Sequence, residues 1–396
     1  MIKPIIVVAA YRRKNSIRRL LESLLHAQYP DCGVEVLLSL DGGYSQEVLR
    51  TCEQFKESFS YGSVEIIKRS VNLGLREHIL WCGDQSNRTG SVIVLEDDLV
   101  VDPQFYFYAK SALSAYEKNK KVGGIALYSQ EYNEYAGLPF KPLMSNYTGY
   151  FMQVACSWGQ AWSVEQWGSF KSWYLDKSES DVNYVKSLPQ SVKTWPESSW
   201  KKYFSAYLVI YNLYFFYPYR SYTTNFSDPG GQHNVSGTNI LQANLAFSER
   251  SLDQFNFPEQ LSKHSIFYDS FMEACSPFLF ESLGLNSDEV EIDIFGIKPA
   301  DLLREKKFAI TTKKCKKHLD VFFLNMKPIE NSLIYREKYI VGPTVFLVET
   351  EMIKDCKNEL NLVLGSYLAN LSFTSKRMIK PFFFGIVQRV YERLVK

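Results

Sequence analysis

The chain has 396 residues, 46% of them hydrophobic, which is enough for a large core and exceeds the usual size of one domain. Its 45 lysines and arginines nearly balance its 43 aspartates and glutamates, which argues against nucleic-acid binding through a global positive field. The seven cysteines are scattered without a Cys-X-X-Cys pair, which favours a reducing cytosol over a disulfide framework or a zinc site.

The sequence contains no pattern typical of a secretory leader or a membrane span. The N-terminus enters a strand-like run at residues 5–10, without a charged segment, an apolar region and a cleavage site. No uninterrupted apolar run approaches the roughly 18 to 20 residues that a spanning helix needs. We therefore expect a protein that is not secreted and that contacts membranes only peripherally.

Short β-branched runs alternate with helical segments over the first third of the chain, the pattern of a parallel sheet with helices on its faces. The runs predict strands at 4–10, 34–40, 63–68, 91–95 and 122–127. Apolar residues at helical spacing predict helices at 16–25, 45–56, 75–84 and 104–117. Asn15 or Ser16 is suited to cap the first helix.

The later part of the chain is less regular. Periodicity weakens from about residue 128 to 235, where Trp, Tyr, Gly and Pro are interspersed, and a new α/β-like stretch appears at 290–296. We predict a main domain over 1–250, whose halves divide near residue 127, and a smaller α/β or helical C-terminal subdomain over 251–396.

Ligands bind beyond the carboxyl ends of the strands in open α/β sheets, so the residues after each predicted strand are the first candidates for a site. Four such segments are polar or rich in glycine and would lie on one rim: Tyr11-Arg12-Arg13, Asp41-Gly42-Gly43, Asn72-Leu73-Gly74 and Glu96-Asp97-Asp98. The last of them, which we call the acidic triplet, follows an apolar run typical of a central strand.

The acidic triplet has two interpretations. Three adjacent carboxylates repel one another unless they are solvated or neutralised, and hard ions such as Mg²⁺ or Mn²⁺ prefer oxygen ligands. A metal that bridges two phosphates would stabilise a departing nucleoside diphosphate. Alone, however, the triplet is equally consistent with a solvated turn, and Asp41-Gly42-Gly43 favours an ordinary turn.

The ordered set of motifs resembles family 2 glycosyltransferases with the GT-A fold, over about residues 3–235. The similarity is closest to the branch of eukaryotic N-acetylglucosaminyltransferase I and its bacterial relatives, in which Glu-Asp-Asp replaces the commoner Asp-X-Asp. Two later segments add to it: Cys156-Ser157-Trp158-Gly159-Gln160-Ala161-Trp162 and Asn225-Phe226-Ser227-Asp228-Pro229-Gly230-Gly231-Gln232-His233.

The resemblance implies a donor half at 1–127 and an acceptor half at 128–250. It implies that Asp41 binds the nucleobase, that Asp98 ligates Mn²⁺ or Mg²⁺, and that the other two acids of the triplet hold ribose and phosphate. Together with Asp41 and Asp98, the expected donor and metal site consists of Tyr11, Arg13, Asn72, Arg76, Glu96, Asp97, Trp158, Gly159 and His233. A solvated charge for Arg76 and a core position for Trp158 stay open.

Inverting transfer requires a carboxylate that deprotonates the acceptor hydroxyl opposite the leaving diphosphate. The relatives carry an aspartate just before a Ser-Trp pair, whereas this chain reads Trp195-Pro196-Glu197-Ser198-Ser199-Trp200. Glu197 is therefore the first candidate for the base and Asp228 the second.

The C-terminal segment 376–396 mixes aromatic and basic residues. It is suited to lie in a membrane interface with its cations at anionic headgroups, or to pack as a terminal helix on the protein or a dimer partner. We expect a metal-dependent, inverting glycosyltransferase that uses a nucleoside diphosphate sugar, UDP-sugar being favoured, at the cytoplasmic face of the cell membrane. The expected acceptor is a glycan or lipid-linked glycan of a bacterial surface polysaccharide or O-antigen.

Two other functions stay open. A sugar nucleotidyltransferase would share the sheet and the acidic metal site, but it needs a glycine-rich phosphate loop, and residues 11–16 contain no glycine. A non-catalytic glycan-binding relative would account for the missing aspartate near Trp200.

Overall fold

A computed structural model describes residues 2–30, 33–228, 238–245, 254–258, 264–335, 343–354 and 362–368. The strands are β1 Ile5–Ala10, β2 Val34–Leu40, β3 Gly62–Lys68, β4 Ser91–Glu96, β5 Leu99–Val101, β6 Val122–Ala126, β7 Tyr132–Asn133, β8 Leu138–Pro139, β9 Gly149–Met152, β10 Gln160–Ser163, β11 Tyr214–Pro218, β12 Thr223–Asn225, β13 Phe267–Tyr268, β14 Val290–Asp293, β15 Phe308–Thr311, β16 Asp320–Phe323 and β17 Thr344–Glu349. The helices are α1 Lys14–Leu25, α2 Gln46–Ser58, α3 Gly74–Asp84, α4 Ser86–Thr89, α5 Phe105–Tyr116, α6 Val164–Tyr174, α7 Glu179–Asn183, α8 Gln190–Lys193, α9 Trp200–Ile210, α10 Pro277–Leu283, α11 Ala300–Leu303, α12 Asn331–Ile334 and α13 Leu362–Leu368.

The chain forms two compact units that interleave along the sequence. The first consists of Met1–Gln130, Met144–Phe226 and Gln242–Phe278. The second consists of Glu131–Leu143, Ser227–Leu241 and Leu279–Lys396. The domain boundary near residue 250 stays a prediction.

The first unit contains a nine-stranded sheet in the order β13-β9-β11-β6-β10-β4-β1-β2-β3. Strands β4, β1, β2 and β3 run parallel, and Val7 of β1 lies between Leu37 of β2 and Val94 of β4. Strand β10 lies antiparallel between β4 and β6. The mostly parallel sheet confirms the predicted α/β class and is consistent with a GT-A fold that carries an additional C-terminal region.

Helices cover both faces of this sheet because its central strands are apolar on both sides. Ile6 and Val8 of β1 are fully buried in one core with residues of α1, α2 and α5. Helix α3 packs against β1, β4, α6 and α9. There, the ring of Trp162 on β10 lies 4.9 Å from that of Trp167 and 5.7 Å from that of Phe204, between ring centroids. This aromatic cluster joins α6 and α9 to the sheet.

The nine strands and helices predicted in the first third of the chain are present, with ends within two residues of the prediction. The predicted cap of the first helix is wrong. Helix α1 begins at Lys14, so Asn15 and Ser16 lie inside it, and Arg13 occupies the N-cap position without a capping side-chain bond. The reason is that the helix starts directly after the short turn that leaves β1.

The second unit contains a four-stranded sheet in the order β14-β15-β17-β16. Strands β14 and β15 are parallel, and β17 runs antiparallel to both of its neighbours. Asp293, at the end of β14, is fully buried and accepts a hydrogen bond from Thr311 Oγ1 (2.9 Å). Lys313 Nζ lies 3.8 Å from the same carboxylate, which compensates its buried charge.

None of the described helices is long and apolar enough to cross a membrane. The basic and aromatic segment 376–396 lies outside the described residues, so its predicted membrane contact stays a prediction.

Two helical glycines test the packing between α3 and α6. A Cβ on Gly83 would lie 2.3 Å from the Trp167 ring, whereas a Cβ on Gly168 would have no heavy atom within 4 Å. We expect Gly83→Ala to lower the free energy of unfolding by about 1 to 3 kcal/mol, because the packed indole cannot yield without strain. Gly168→Ala should raise it by up to about 1 kcal/mol, because alanine is the better helix former. Urea unfolding measures both, and equal effects would contradict the described packing.

Candidate active site

The acidic triplet forms the turn that leads from β4 to β5. Glu96 is half-buried, while Asp97 and Asp98 are only 4% and 8% exposed. Strand β5 pairs with β12, and Phe226, directly after β12, donates its N–H to the carbonyl oxygen of Asp98 (3.0 Å). Asn225 Nδ2 donates to Asp98 Oδ1 (3.3 Å). The segment that begins at Asn225 therefore starts beside the triplet.

Arg13 binds two carboxylates of the triplet. Its Nη1 donates to Asp98 Oδ2 (3.0 Å), its Nη2 donates to Asp97 Oδ1, and its Nε donates to Asp97 Oδ2 (3.4 Å). Burial lowers the pKa of Arg13, but the charges of Asp97 and Asp98 outweigh this effect and raise the pKa above its ordinary value. This contact confirms that the ends of β1 and β4 meet on one rim.

Glu96 differs from its two neighbours in its electrostatics. Burial, together with the negative charge of Asp98, raises the pKa of Glu96 to about 8, and the positive charges of Arg13 and Lys201 act against this rise. A cation that enters the site would therefore lower the pKa of Glu96.

The chemistry of the triplet suits a hard cation, but its side chains are already engaged. Carboxylate oxygens are the ligands that Mg²⁺ and Mn²⁺ prefer. Both oxygens of Asp98 accept bonds, however, one from Asn225 and one from Arg13. Within the described part of the chain, no group of three or more His, Cys, Asp or Glu side chains is arranged to hold a metal ion. In this arrangement the triplet does not fit a metal ion.

Asp41 joins the end of β2 to the segment that follows β3. Its Oδ1 accepts from the N–H groups of Gly42 (2.9 Å) and Leu73 (2.8 Å), and its Oδ2 accepts from the N–H of Gly74 (3.1 Å). Asn72 Oδ1 accepts from the same N–H of Gly74 (2.8 Å). Because a carboxylate has about four acceptor positions, Asp41 keeps the capacity for one further donor, such as a base N–H.

The glycine turn after Asp41 lies against its neighbours too closely for a side chain. A Cβ on Gly42 would lie 2.1 Å from the backbone carbon of Val71. Arg12 Nε donates to the carbonyl oxygen of Gly43 (2.8 Å), and its guanidinium lies 4.7 Å from the centroid of the Tyr11 ring. Tyr11 therefore lies near this turn, on the predicted rim.

His78 lies beside Asp41 on the interior side of the rim. Its Nδ1 is 4.0 Å from Asp41 Oδ2, and its Nε2 is 2.8 Å from Ser39 Oγ. Burial lowers the pKa of His78 to about 4; Asp41 acts in the opposite direction and the charge of Arg69 in the same one. His78 is therefore neutral at pH 7. The sequence pattern did not predict this position of His78, because a histidine within a helical segment gives no indication of which strand end it faces.

Trp158 and Gly159 lie beside β12. Thr223 Oγ1 donates to the carbonyl oxygen of Trp158 (2.5 Å). Gly159 has a φ of +94°, and a Cβ at this position would lie 2.7 Å from the methyl group of Thr223. Only glycine meets both demands. Trp158 is half-buried and packs against the hydrophobic core, so both interpretations of this residue stay open.

Lys201 is a site residue that the sequence motifs did not predict. Its Nζ lies 5.2 Å from the ring centroids of both Trp158 and Trp195, and the side chain is buried. Cation–π contacts with two indoles stabilise the buried ammonium group. The only sequence signal is a Lys-Lys pair near the start of α9, where solvated lysines are common.

Arg76 and Glu197 lie together, although 121 positions separate them. Arg76 Nη1 donates to the carbonyl oxygen of Glu197 (2.9 Å) and lies 3.8 Å from its Oε1. The buried Lys202 donates to the carbonyl oxygens of Lys193 (2.8 Å) and Trp195 (3.0 Å). Arg76 and Lys202 therefore both hold the backbone of the loop before α9. The Glu197 side chain is 64% exposed.

The other two predicted residues lie at the segment after β12. Asp228 is half-buried and belongs to the second compact unit. His233, the second predicted metal ligand, lies outside the described residues.

Residues 5–159 match the protein family described as Glycosyl transferase family 2. The matched segment runs from β1 to Gly159 and contains every rim motif described above. Over these residues the chain is similar to family 2 glycosyltransferases. The match confirms the predicted enzyme class, and it covers less than half of the chain. No match was found among curated proteins.

Two solved structures show weak similarity to this chain. One is a mannosyltransferase from Pyrobaculum calidifontis in complex with GDP-Man and Mn²⁺, with 10% identity, a TM-score of 0.31, and coverage of 41% of this chain and 45% of that chain. Another is S. aureus TarS 1-349 in complex with UDP, with 13% identity, a TM-score of 0.36, and coverage of 56% and 60%. The chain thus spans about half of the first structure and three fifths of the second. Similarity at this level supports no conclusion about function.

His78 predicts a pH dependence of stability. An unfolded histidine has a pKa of about 6.5, whereas the pKa of His78 is about 4. The unfolded state therefore binds more protons between these values, so the stability present above pH 6.5 is lost as the pH falls through 4. We expect this group to remove about 3 kcal/mol between pH 7 and pH 4.

The measurement is urea unfolding of the wild type and His78→Gln at pH 7, 5.5 and 4. The variant should lose less stability over this range, because glutamine takes up no proton. Parallel losses in the two proteins would contradict the assignment of this slope to His78.

Proposed function

We propose that this protein is a glycosyltransferase that moves a sugar from a nucleoside diphosphate donor to a glycan hydroxyl, and that the donor lies along the described rim. The observation that carries the proposal is the convergence of separate segments at that rim. Asp41 ties β2 to the segment after β3, Arg13 ties β1 to the acidic triplet, and Asn225 ties β12 to it. The ordered rim provides acceptors for a base and a planar cation for a diphosphate.

The rim groups have different roles in this proposal. Asp41 accepts from the nucleobase through its remaining position, and Tyr11 and Asn72 border the same end of the site. Arg13 offers the fork of N–H donors that matches phosphate oxygens, so it stabilises the charge that develops on the leaving diphosphate. The family resemblance favours UDP over other nucleotides.

Glu197 is the proposed base. Its side chain is 64% exposed, so an acceptor hydroxyl can reach the carboxylate, and its Oε1 lies 3.8 Å from Arg76 Nη1. In an inverting transfer it removes the proton from the acceptor hydroxyl while the oxygen attacks the anomeric carbon and the diphosphate leaves from the opposite side. The half-buried indoles of Trp158 and Trp195 supply faces on which sugar rings can stack. Asp228 is the second candidate.

The cofactor and the cellular context rest on the sequence motifs. The resemblance implies Mn²⁺ or Mg²⁺ at Asp98, but the described arrangement, in which both oxygens of Asp98 already accept bonds, does not fit a metal ion. The proposed acceptor is a lipid-linked glycan for a bacterial surface polysaccharide or O-antigen, reached at the cytoplasmic face of the membrane through residues 376–396.

Asp98→Asn tests the donor site. We expect at least about a 10²-fold loss of sugar transfer, because the variant loses a charge that organises the phosphate region. The measurement is release of nucleoside diphosphate from UDP- and GDP-sugars in the presence of Mn²⁺. Asp176→Asn is the matched control, because Asp176 is exposed and lies outside the described rim. Equal turnover in wild type and Asp98→Asn would overturn the donor site.

Glu197→Gln tests the base. We expect kcat for transfer to fall by about 10² to 10⁴, with little change in the KM for the donor, because only proton removal is lost. Glu77→Gln is the matched control, since Glu77 also contacts Arg76, at 3.2 Å, but is carried by α3. Full turnover in Glu197→Gln together with an inactive Asp228→Asn would reassign the base to Asp228.

A further inference from the structure

The second compact unit contains a pocket with a volume of about 140 Å³. Its lining comes from residues 139–141, 295, 327–330 and 368, all of which belong to this unit. None of these lining residues belongs to a rim motif of the candidate active site. The fold of the second unit therefore builds a separate concave surface from segments that are distant in the sequence.

Most of the pocket wall is apolar and fixed in place. Phe140, Phe295 and Ile329 line the pocket and are buried in the unit. Phe140 follows β8 directly, and its N–H donates to the carbonyl oxygen of Glu131 (2.8 Å), so the β7–β8 hairpin holds this wall. Small-molecule sites in proteins combine such preformed apolar walls with a few polar groups.

Three charged residues complete the lining. Lys141 and Lys327 are exposed, whereas Glu330 is only 2% exposed. Lys327 Nζ donates to the carbonyl oxygen of Leu368 (3.5 Å) and lies 5.8 Å from the ring centroid of Tyr367, so α13 holds this cation at the pocket. Two ammonium groups and one carboxylate leave a net positive charge. The pocket is therefore complementary to a ligand with one negative charge.

The volume restricts the ligand to about one ring. A cavity of about 150 Å³ holds a six-membered ring such as benzene, whereas ligands of drug size occupy pockets of roughly 300 to 1,000 Å³. The buried carboxylate of Glu330 accepts hydrogen bonds, so it favours a ring that carries hydroxyl groups. Size, charge and hydrogen bonding together favour a small, hydroxylated, anionic ring.

We propose that this pocket binds one six-membered sugar residue that carries a carboxylate. The apolar face of the ring packs on Phe140 and Phe295. The ligand carboxylate pairs with Lys141 and Lys327, and a sugar hydroxyl donates to Glu330. The choice of a sugar among anionic rings rests on the proposed function, because a glycosyltransferase acts on glycans. The pocket thus holds an acidic residue of the acceptor glycan, in addition to the residue that receives the transferred sugar.

The test is titration of the full chain with D-glucuronate, followed by saturation-transfer difference NMR. We expect a Kd of about 1 mM, the affinity that a ligand of this size reaches with ordinary efficiency. D-Glucose should bind at least about tenfold more weakly, because it lacks the carboxylate. Cyclohexanecarboxylate should bind at least about fivefold more weakly, because it lacks the hydroxyl groups.

A double variant links the binding to this pocket. Lys141→Gln combined with Lys327→Gln should weaken D-glucuronate binding by at least about tenfold, because both cations at the ligand carboxylate are lost. Lys316→Gln combined with Lys317→Gln is the matched control. It removes the same charge from exposed lysines of the same unit that do not line the pocket, so its Kd should change by less than about twofold. Equal Tm values in the two double variants show that both are folded.

Saturating UDP separates the pocket from the donor site. The Kd for D-glucuronate should be unchanged by UDP, because no rim residue lines the pocket. Displacement of D-glucuronate by UDP, equal binding by the Lys141→Gln and Lys327→Gln double variant, or equal binding of D-glucose would each overturn the inference. Equal binding of cyclohexanecarboxylate would overturn the assignment of the ligand as a sugar.

The outcomes also separate this inference from the proposed function. A wild type that transfers sugar but does not bind D-glucuronate overturns the pocket assignment and leaves the proposed function standing. A wild type that binds D-glucuronate through the two lysines but transfers no sugar overturns the proposed function. In that case the pocket stands as a binding site for acidic sugars, without a role in holding an acceptor.

Discussion

Three carboxylates at the end of a buried strand repel one another, and the candidate site depends on how this repulsion is offset. The structure offsets it with the guanidinium of Arg13, carried by the turn after a neighbouring parallel strand. The pairing fixes the rim between β1 and β4 and leaves Glu96 with a raised pKa. The contact with Arg13 therefore links the arrangement of β1 and β4 to the charge of the acidic triplet.

A second constraint acts at the neighbouring strand ends. Asp41 accepts from three backbone N–H groups, so its carboxylate replaces the hydrogen bonds that the segment after β3 would otherwise lack. The neutral, buried His78 lies beside this carboxylate, with its Nδ1 4.0 Å from Oδ2. The nucleobase end of the proposed donor site is thus rigid before any ligand binds, which lowers the entropic cost of binding.

The loop that carries Glu197 is positioned by contacts of a different kind. Lys202 is fully buried and binds carbonyl oxygens of that loop, while Lys201, one residue earlier, lies between two indoles. The helix begins directly after the loop, with Ser199 as its N-cap. Two adjacent lysines of one helix therefore have separate roles, because one holds the backbone of the loop and the other contacts the indoles of Trp158 and Trp195.

Sequence patterns predicted the strands and helices of the first third because their apolar spacing is local and strong. They also predicted the shared rim, since parallel strands place their carboxyl ends together. They did not predict the start of α1, because nothing in Asn15 or Ser16 reports where the preceding turn ends. They also did not predict the positions of Lys201 and His78, because residues distant in the chain form the environments of both side chains.

What the sequence determined by itself is the order of strands and helices in the first third, the similarity of residues 5–159 to family 2 glycosyltransferases and the set of polar groups at the strand ends. Only the tertiary structure decided which of those groups meet. Arg13 and Asp97 are 84 positions apart and Arg76 and Glu197 are 121 apart, so their contacts follow from sheet register and helix packing. Burial then changes the free-energy cost of ionising these groups, because desolvation depends on every neighbour in the fold.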